Sequence, residues 1–275
     1  MVPSAQAIAD SLDALRAARG VPPLRRSVEL SRYAQERAEA AVNSGHLALD
    51  TANLQLERLS AEGYEAHLVT AILAQVPGDA EAVLRGWRSD PRGSLEEALR
   101  SGFHDLGVGI AASQDPRQAP VYALVLGLSW ADHFNAGTAG LADHAAVRRE
   151  LVRRLNEERA AQRIPPLRAQ PRLDRVAQDY AERMLREGFY EHHDPSGASV
   201  LERVQAIGYS FSAVGENLAS GQFTAEQVFD GWLASPAHRE NLLDRDFREV
   251  GHGVAHGKGA AGWQVLWVQV FATPR

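Results

Sequence analysis

The second half of this chain repeats the first. Pro22-Pro23-Leu24 lies 143 residues before Pro165-Pro166-Leu167, and Leu15 to Leu24 echoes Glu158 to Leu167. Tyr33 to Ala38 echoes Val176 to Ala181. At an offset of 145, Leu56-Glu57-Arg58 matches Leu201-Glu202-Arg203, Gly63-Tyr64 matches Gly208-Tyr209, Trp87 matches Trp232 and Pro91 matches Pro236. Leu106 to Ala111 parallels Val250 to Ala255. The chain must therefore build one architecture twice.

The second copy is the more legible. Val147 to Arg163 reads as a helix ending before Pro165-Pro166. Leu173, Val176, Ala177, Tyr180, Ala181, Met184 and Leu185 recur at helical spacing, and Gly188 supplies the stop. Ser199 with Glu202, and Thr224 with Gln227, have capping-box spacing. Val228, Phe229, Trp232 and Leu233 then mark a buried helix face, and Ser235-Pro236 opens a short helix. Glu249 to Ala255 and Trp263 to Thr273 read as strands, the latter apolar at nearly every position from Val265 to Phe271, as a strand covered on both faces would be. Helices flanking a small sheet predict an α+β chain of two tandem α-β-α sandwiches. The expected domains are 1–134, a linker at 135–145 suggested by Asn135 to Gly140, and 146–275.

The copies differ in their polar residues. On these offsets Glu216 faces Ala71, Asn217 faces Ile72, His238 faces Gly93 and His192 faces Leu49. The first copy keeps a scaffold and loses the site, which predicts a pseudo-domain and one binding site per chain.

Four blocks carry a resemblance. They are Phe189-Tyr190-Glu191-His192-His193-Asp194-Pro195-Ser196-Gly197, Gly215-Glu216-Asn217-Leu218-Ala219, Trp232 to Leu243, and Trp267-Val268-Gln269-Val270-Phe271. In this order they resemble the CAP superfamily of cysteine-rich secretory, antigen and pathogenesis-related proteins, in its cysteine-free bacterial form. The resemblance covers residues from Val147 to the C-terminus. It implies the same sandwich and places His192, Glu216 and His238 in a central cleft. The family's further histidine before the last strand is absent here, where Leu266-Trp267-Val268-Gln269 stands. Asn217 and His252 are further cleft candidates, and Tyr209 and Phe211 candidates for its rim. Glu216 is expected on a loop or strand end, and His193 and Asp194 in a solvent-facing turn.

Two neutral imidazoles and a carboxylate suit a divalent metal with an open position, zinc being the natural candidate. The same three side chains could act without metal as an acid–base set. A plainer reading has Glu216 and Asn217 bonding loop backbone while His238 caps its own helix. Ser235 near His238 invites a nucleophile reading, but its Ser-Pro context fits a helix cap. Trp232, Trp263 and Trp267 read as core.

Composition narrows the functions. The chain has 275 residues and a formal net charge of −6, which argues against nucleic acid as a partner. There is no cysteine, so disulfides and thiol catalysis are excluded. No apolar run is long enough to span a bilayer. Met1 to Ala5 lacks the features of a signal peptide, and because the resembled family is typically exported, the expected location is extracellular or in the cell envelope, with a leader absent from this chain. Three functions compete: an extracytoplasmic binding module for a small apolar, peptide or envelope ligand; a metal-dependent hydrolase of peptide or cell-wall substrates working through His192, Glu216 and His238; and a structural or interaction protein whose first copy offers a surface and whose cleft is vestigial, against which the full polar set of the second copy argues. The first copy is expected to pack on the second.

Overall fold

The structure, a computed structural model, describes residues 2–89, 94–100 and 102–275. Pro91 and Gly93, two of the repeat positions, lie outside the described residues. The chain divides into two compact units, Met1–His133 and Phe134–Arg275.

The first unit runs α1 (Ala5–Ala17), β1 (Arg25–Arg26), α2 (Val28–Ser44), α3 (Ala52–Ala61), β2 (Ala66–Gln75), α4 (Ala80–Arg88), α5 (Ser94–Ala98), β3 (Asp105–Ala111) and β4 (Val121–Ser129), with α6 (Trp130–Thr138) following. The second runs through a 3-10 turn (Ala139–Leu141), α7 (His144–Ala161), β5 (Arg168–Ala169), α8 (Pro171–Glu187), α9 (Val200–Ala206), β6 (Phe211–Ser220), α10 (Ala225–Ala234), α11 (Pro236–Leu243), β7 (Glu249–Gly259) and β8 (Gly262–Pro274). The sheets have matching orders, β1-β3-β4-β2 and β5-β7-β8-β6. Each sheet is covered on both faces, as the nearly continuous apolar run in β8 predicts for the second. In the second unit α8 and α9 pack on Leu218, Leu266, Val268 and Val270, while the α7 and α10 face closes over Val250, Val254, Trp267 and Phe271.

Several local expectations hold for stated reasons. Gly188 ends α8 in the left-handed region, where a residue without Cβ is unstrained. Ser199 and Glu202 form the reciprocal capping box of α9. Thr224 caps α10 through the Gln227 amide, but the Gln227 side chain accepts from Phe223 instead of closing the box. Ser235 occupies the N-cap position of α11 without a side-chain cap bond.

The stretch read as a linker is structured. Asn135 to Thr138 belong to α6, and Phe134 and Leu141 are buried in the core of the second unit beside Val147 and Leu151. Linker-like composition was outweighed by an apolar anchor just before the stretch, Phe134, and one within it, Leu141. A fragment beginning at residue 134 is therefore expected to melt higher than one beginning at 146. Each anchor is worth about 1.5–3 kcal/mol when buried. Equal melting temperatures for the two fragments would show that neither anchor contributes.

The shared scaffold extends to a buried arginine. Arg16 donates to the carbonyls of Pro22, Ala98, Arg100 and Phe103. Arg159, 143 positions on, donates to those of Pro165, Leu242 and Asp244. Each ties the end of its unit's first helix to the segment preceding the strand at Asp105 or Glu249. Burial pushes both guanidinium pKa values down, yet each makes charge-assisted bonds to carbonyls at a helix end and in the loops beside it.

Candidate functional site

The site is built on β6, the edge strand of the second sheet. Glu216 lies in the middle of this strand, not on the loop or strand end expected for it. Its open edge is closed by side chains: Asn241 Nδ2 donates to the Glu216 carbonyl at 3.3 Å, and Trp232 Nε1 to that of Leu218 at 3.1 Å. In the first unit the equivalent Trp87 indole nitrogen is buried without a partner.

Alternation along β6 sends Glu216 and Asn217 to opposite faces of the sheet. Glu216 points to the α8 and α9 face, with its side chain 2% exposed. Its Oε2 accepts from Arg203 Nη2, and its Oε1 lies 2.8 Å from His192 Nδ1. Arg203 also donates to the carbonyls of His192 and Ala198. Its guanidinium lies 3.4 Å from the Tyr180 ring centroid, and the Tyr180 hydroxyl in turn donates to the carbonyl of Glu191. The loop carrying His192 is thus pinned from α8 and α9. Asp194 pins it further: the residue is buried, not solvent-facing, pairs with Arg183 and accepts from the amides of Ser196 and Ala198.

A carboxylate at Nδ1 makes that nitrogen the proton carrier, so His192 turns Nε2 outward. The Glu216 hydrogen bond raises the His192 pKa above the ordinary histidine value. His238, in the first turn of α11, is shifted the other way by burial and by the neighbouring charge of His192. The site therefore holds one imidazole that takes a proton readily and one that resists it.

Asn217 does not line the site beside Glu216. It is fully buried on the other face, where its Nδ2 donates to the His238 carbonyl and to Gln269 Oε1, each at 3.1 Å, and its Oδ1 accepts from Asn241 at 2.8 Å. Gln269 continues the row to His252, nitrogen to nitrogen at 2.9 Å. His252 sits inside β7 and is buried, which separates it from the cleft its sequence position suggested; burial drives its pKa down to about 3. Tyr209 is also buried, its hydroxyl bonded to Glu249, so it does not form a rim. Trp232 and Trp267 lie in the core and Trp263 packs partly buried against it.

Arg203, Tyr180, Gln269 and Asn241 complete the arrangement. Arg203 was visible only as part of the repeated Leu-Glu-Arg triplet, and Tyr180 only as a core position; nothing local marks either as a partner of Glu216. The strand register confirms which positions correspond. Glu216 pairs with Val270, which pairs with Gly251; in the first unit Ala71 pairs with Val125, which pairs with Gly107. One rung away, Asn217, Gln269 and His252 stand where the first unit has Ile72, Leu124 and Val108.

The described residues include no group of three or more His, Cys, Asp or Glu arranged to hold a metal ion. Glu216 does not fit the role of a ligand, because both of its oxygens are engaged and one faces a guanidinium.

Glu216→Ala is expected to have two effects. It leaves the Arg203 side chain, 12% exposed, as a buried charge without its counter-ion, which costs about 3 kcal/mol or more. It also lowers the His192 pKa toward about 6.5. The His192–Glu216 pair contributes fully below the unfolded histidine value and is lost as pH rises through the raised folded value, so the variant's deficit should be larger at pH 5.5 than at pH 8.5. Denaturant melts and a histidine NMR titration measure both; a His192 titration that stays in place would refute the pairing.

Two α-β-α units of matching strand order in one chain mark a duplicated domain, and sequence comparison gives its family. The profile of the cysteine-rich secretory protein family, CAP, matches residues 9–126 and 152–271, and the chain belongs to this family in both halves. An uncharacterised Bacillus subtilis protein, YkwD, is 28% identical over 141 residues, 51% of this chain and 52% of that protein. An uncharacterised membrane protein of the same organism, YlbC, is 30% identical over 79 residues, 29% of this chain and 23% of that protein. The chain thus spans about half or less of the length of the curated relatives it matches. Among solved structures, an outer surface protein from Borrelia burgdorferi aligns with a TM-score of 0.41 at 25% identity, covering 46% of this chain and 92% of that one. An extracellular SCP-domain protein from Bacillus anthracis aligns with a TM-score of 0.42 at 18% identity, covering 61% and 57%. Among the described residues no helix is long and apolar enough to cross a membrane.

Proposed function

We propose that the second unit is an extracytoplasmic binding module whose cleft holds a small apolar, peptide or envelope ligand between His192 and His238. The observation that carries this reading is the backing of His192. Glu216, Arg203 and Tyr180 fix the ring from behind and leave Nε2 for a ligand. Such rigid support lowers the ordering cost of binding. The opposed shifts of the two imidazoles suit a ligand group that accepts a hydrogen bond from one and donates to, or lies against, the other. Tyr190, exposed two residues before His192, offers an apolar flank.

The hydrolase reading has less support. A general base needs a carboxylate oxygen within reach of water, and both oxygens of Glu216 already have partners. Ser235 holds a helix-start position, with no imidazole bonded to its hydroxyl.

The test is a titration of the isotope-labelled full chain with short peptides, envelope glycopeptide fragments and short-chain lipids, followed by NMR. A ligand should move the resonances of His192 and His238 and leave those of the first unit in place, with one site per chain. Two equivalent sites, or shifts confined to the first unit, would overturn the reading.

A further inference from the structure

The row Asn217–Gln269–His252 crosses three strands in a layer that the first unit fills with Ile72, Leu124 and Val108. An apolar row is therefore compatible with this sheet, and the polar one calls for a reason beyond folding. The donors and acceptors along it leave little choice. Asn217 donates to the His238 carbonyl and accepts from Asn241, which fixes its amide. Its second Nδ2 bond goes to Gln269 Oε1, so Gln269 presents Nε2 to His252 Nε2. An amide nitrogen only donates. His252 must then accept at Nε2, be neutral, and carry its proton on Nδ1, an atom that is buried without a partner.

The backbone of His252 is clamped from both sides. Arg148 of α7 donates to its carbonyl at 3.0 Å, and Asp174 of α8 accepts from its amide at 2.8 Å. Residues of α7, among them His144, Val147, Arg148 and Leu151, line a small gap together with His252. Its ring is thereby held at the end of a row whose order starts at the His238 carbonyl.

We propose that His252 is a positioning residue for the cleft: by accepting from Gln269 it completes the amide order that the His238 carbonyl and Asn241 begin at Asn217, and so helps hold the His238 turn of α11 against β6. Without that acceptor the Gln269 amide is buried and unpaired, and the partner left to it is Asn217, toward which it must turn. A reversed Asn217 would then set its oxygen against the His238 carbonyl and its amide against that of Asn241. The proposal rests on the reading of His238 as a ligand-facing residue.

Amide hydrogen exchange on the unliganded full chain tests it. His252→Val should speed exchange in α11 about tenfold, while α8 changes much less, because the release is local. His252→Gln, whose Oε1 can accept in the same direction, should restore the α11 pattern. The triple variant Asn217→Ile, Gln269→Leu, His252→Val copies the first unit; it should fold and still exchange fast in α11. If α11 keeps its protection in His252→Val, or α8 and α11 speed up equally with no rescue by glutamine, the positioning role is wrong. Should His252→Val fail to fold, a triple variant with a protected α11 overturns it as well. Exchange is read without ligand, so failure here counts against the positioning role and leaves the cleft reading to its own titration.

Discussion

Gly253→Ala is expected to destabilise the second unit by at least about 3 kcal/mol, which for a unit of this size lowers its melting temperature by about 10 °C. Gly253 lies in β7 under α8, and a Cβ there would stand 2.3 Å from the Ala177 carbonyl carbon and from the Gln178 amide nitrogen. Real carbon contacts do not close to that distance, and the atoms in the way are helix backbone, which cannot swing aside as a side chain can. Helix α8 would have to lift from the sheet, losing contacts from Leu173, Ala177 and Ala181 to β8. The first unit repeats the contact between Gly109 and Ala34, so Gly109→Ala should do the same there. Gly231→Ala is the control: it sits in α10 with nothing within 4 Å of its added Cβ, and helix propensity favours alanine by about 1 kcal/mol. Differential scanning calorimetry decides. A Gly253→Ala protein melting within about 2 °C of the parent would mean that α8 yields far more easily than close packing allows.

Acid should weaken the second unit through His252. In the unfolded chain this imidazole takes a proton at about pH 6.5, whereas burial in the folded unit holds its pKa down to about 3. Between those values the unfolded state binds one more proton, so stability falls as pH falls, by about 1.4 kcal/mol per pH unit. From pH 6.5 to 4.5 the loss from this residue is about 2–3 kcal/mol. His238, also shifted down, acts in the same direction, and the raised His192 opposes it. His252→Gln should remove most of the slope while keeping an acceptor for Gln269. Chemical denaturation of the parent and this variant across pH 4–7 measures the difference; parallel curves would show that His252 takes its proton as easily folded as unfolded.

Both expectations depend on features that reading the chain could not supply. The motif at Gly215 to Ala219 marked Glu216 and Asn217 together, and adjacency suggested one shared role. In β6 adjacent side chains leave on opposite faces, so Glu216 joins Arg203 and His192 while Asn217 enters the buried row with Gln269. His252 stood in a strand with small neighbours, a context that fits an exposed strand end better than a cleft. The small neighbours proved to serve the opposite face, where Gly251 and Gly253 let α8 approach, while His252 is buried on the α7 side.

The sequence by itself determined the duplication, the sandwich architecture, the family, the helix boundaries at Gly188 and Ser199, and the replacement of the polar positions in the first copy. Those features are periodic or local, and a period or a cap is written in neighbouring residues. The tertiary structure decided which polar groups meet. Arg203 reaches Glu216 across 13 residues, Asn217 reaches Gln269 across 52, and Arg148 reaches His252 across 104. Such pairings follow from strand register and from the face each side chain leaves by, and a shift of one residue would exchange the two faces. That is why the histidines and the glutamate could be named from the chain, while the backing that turns His192 outward, and the engagement of both Glu216 oxygens, became evident only in the folded sheet.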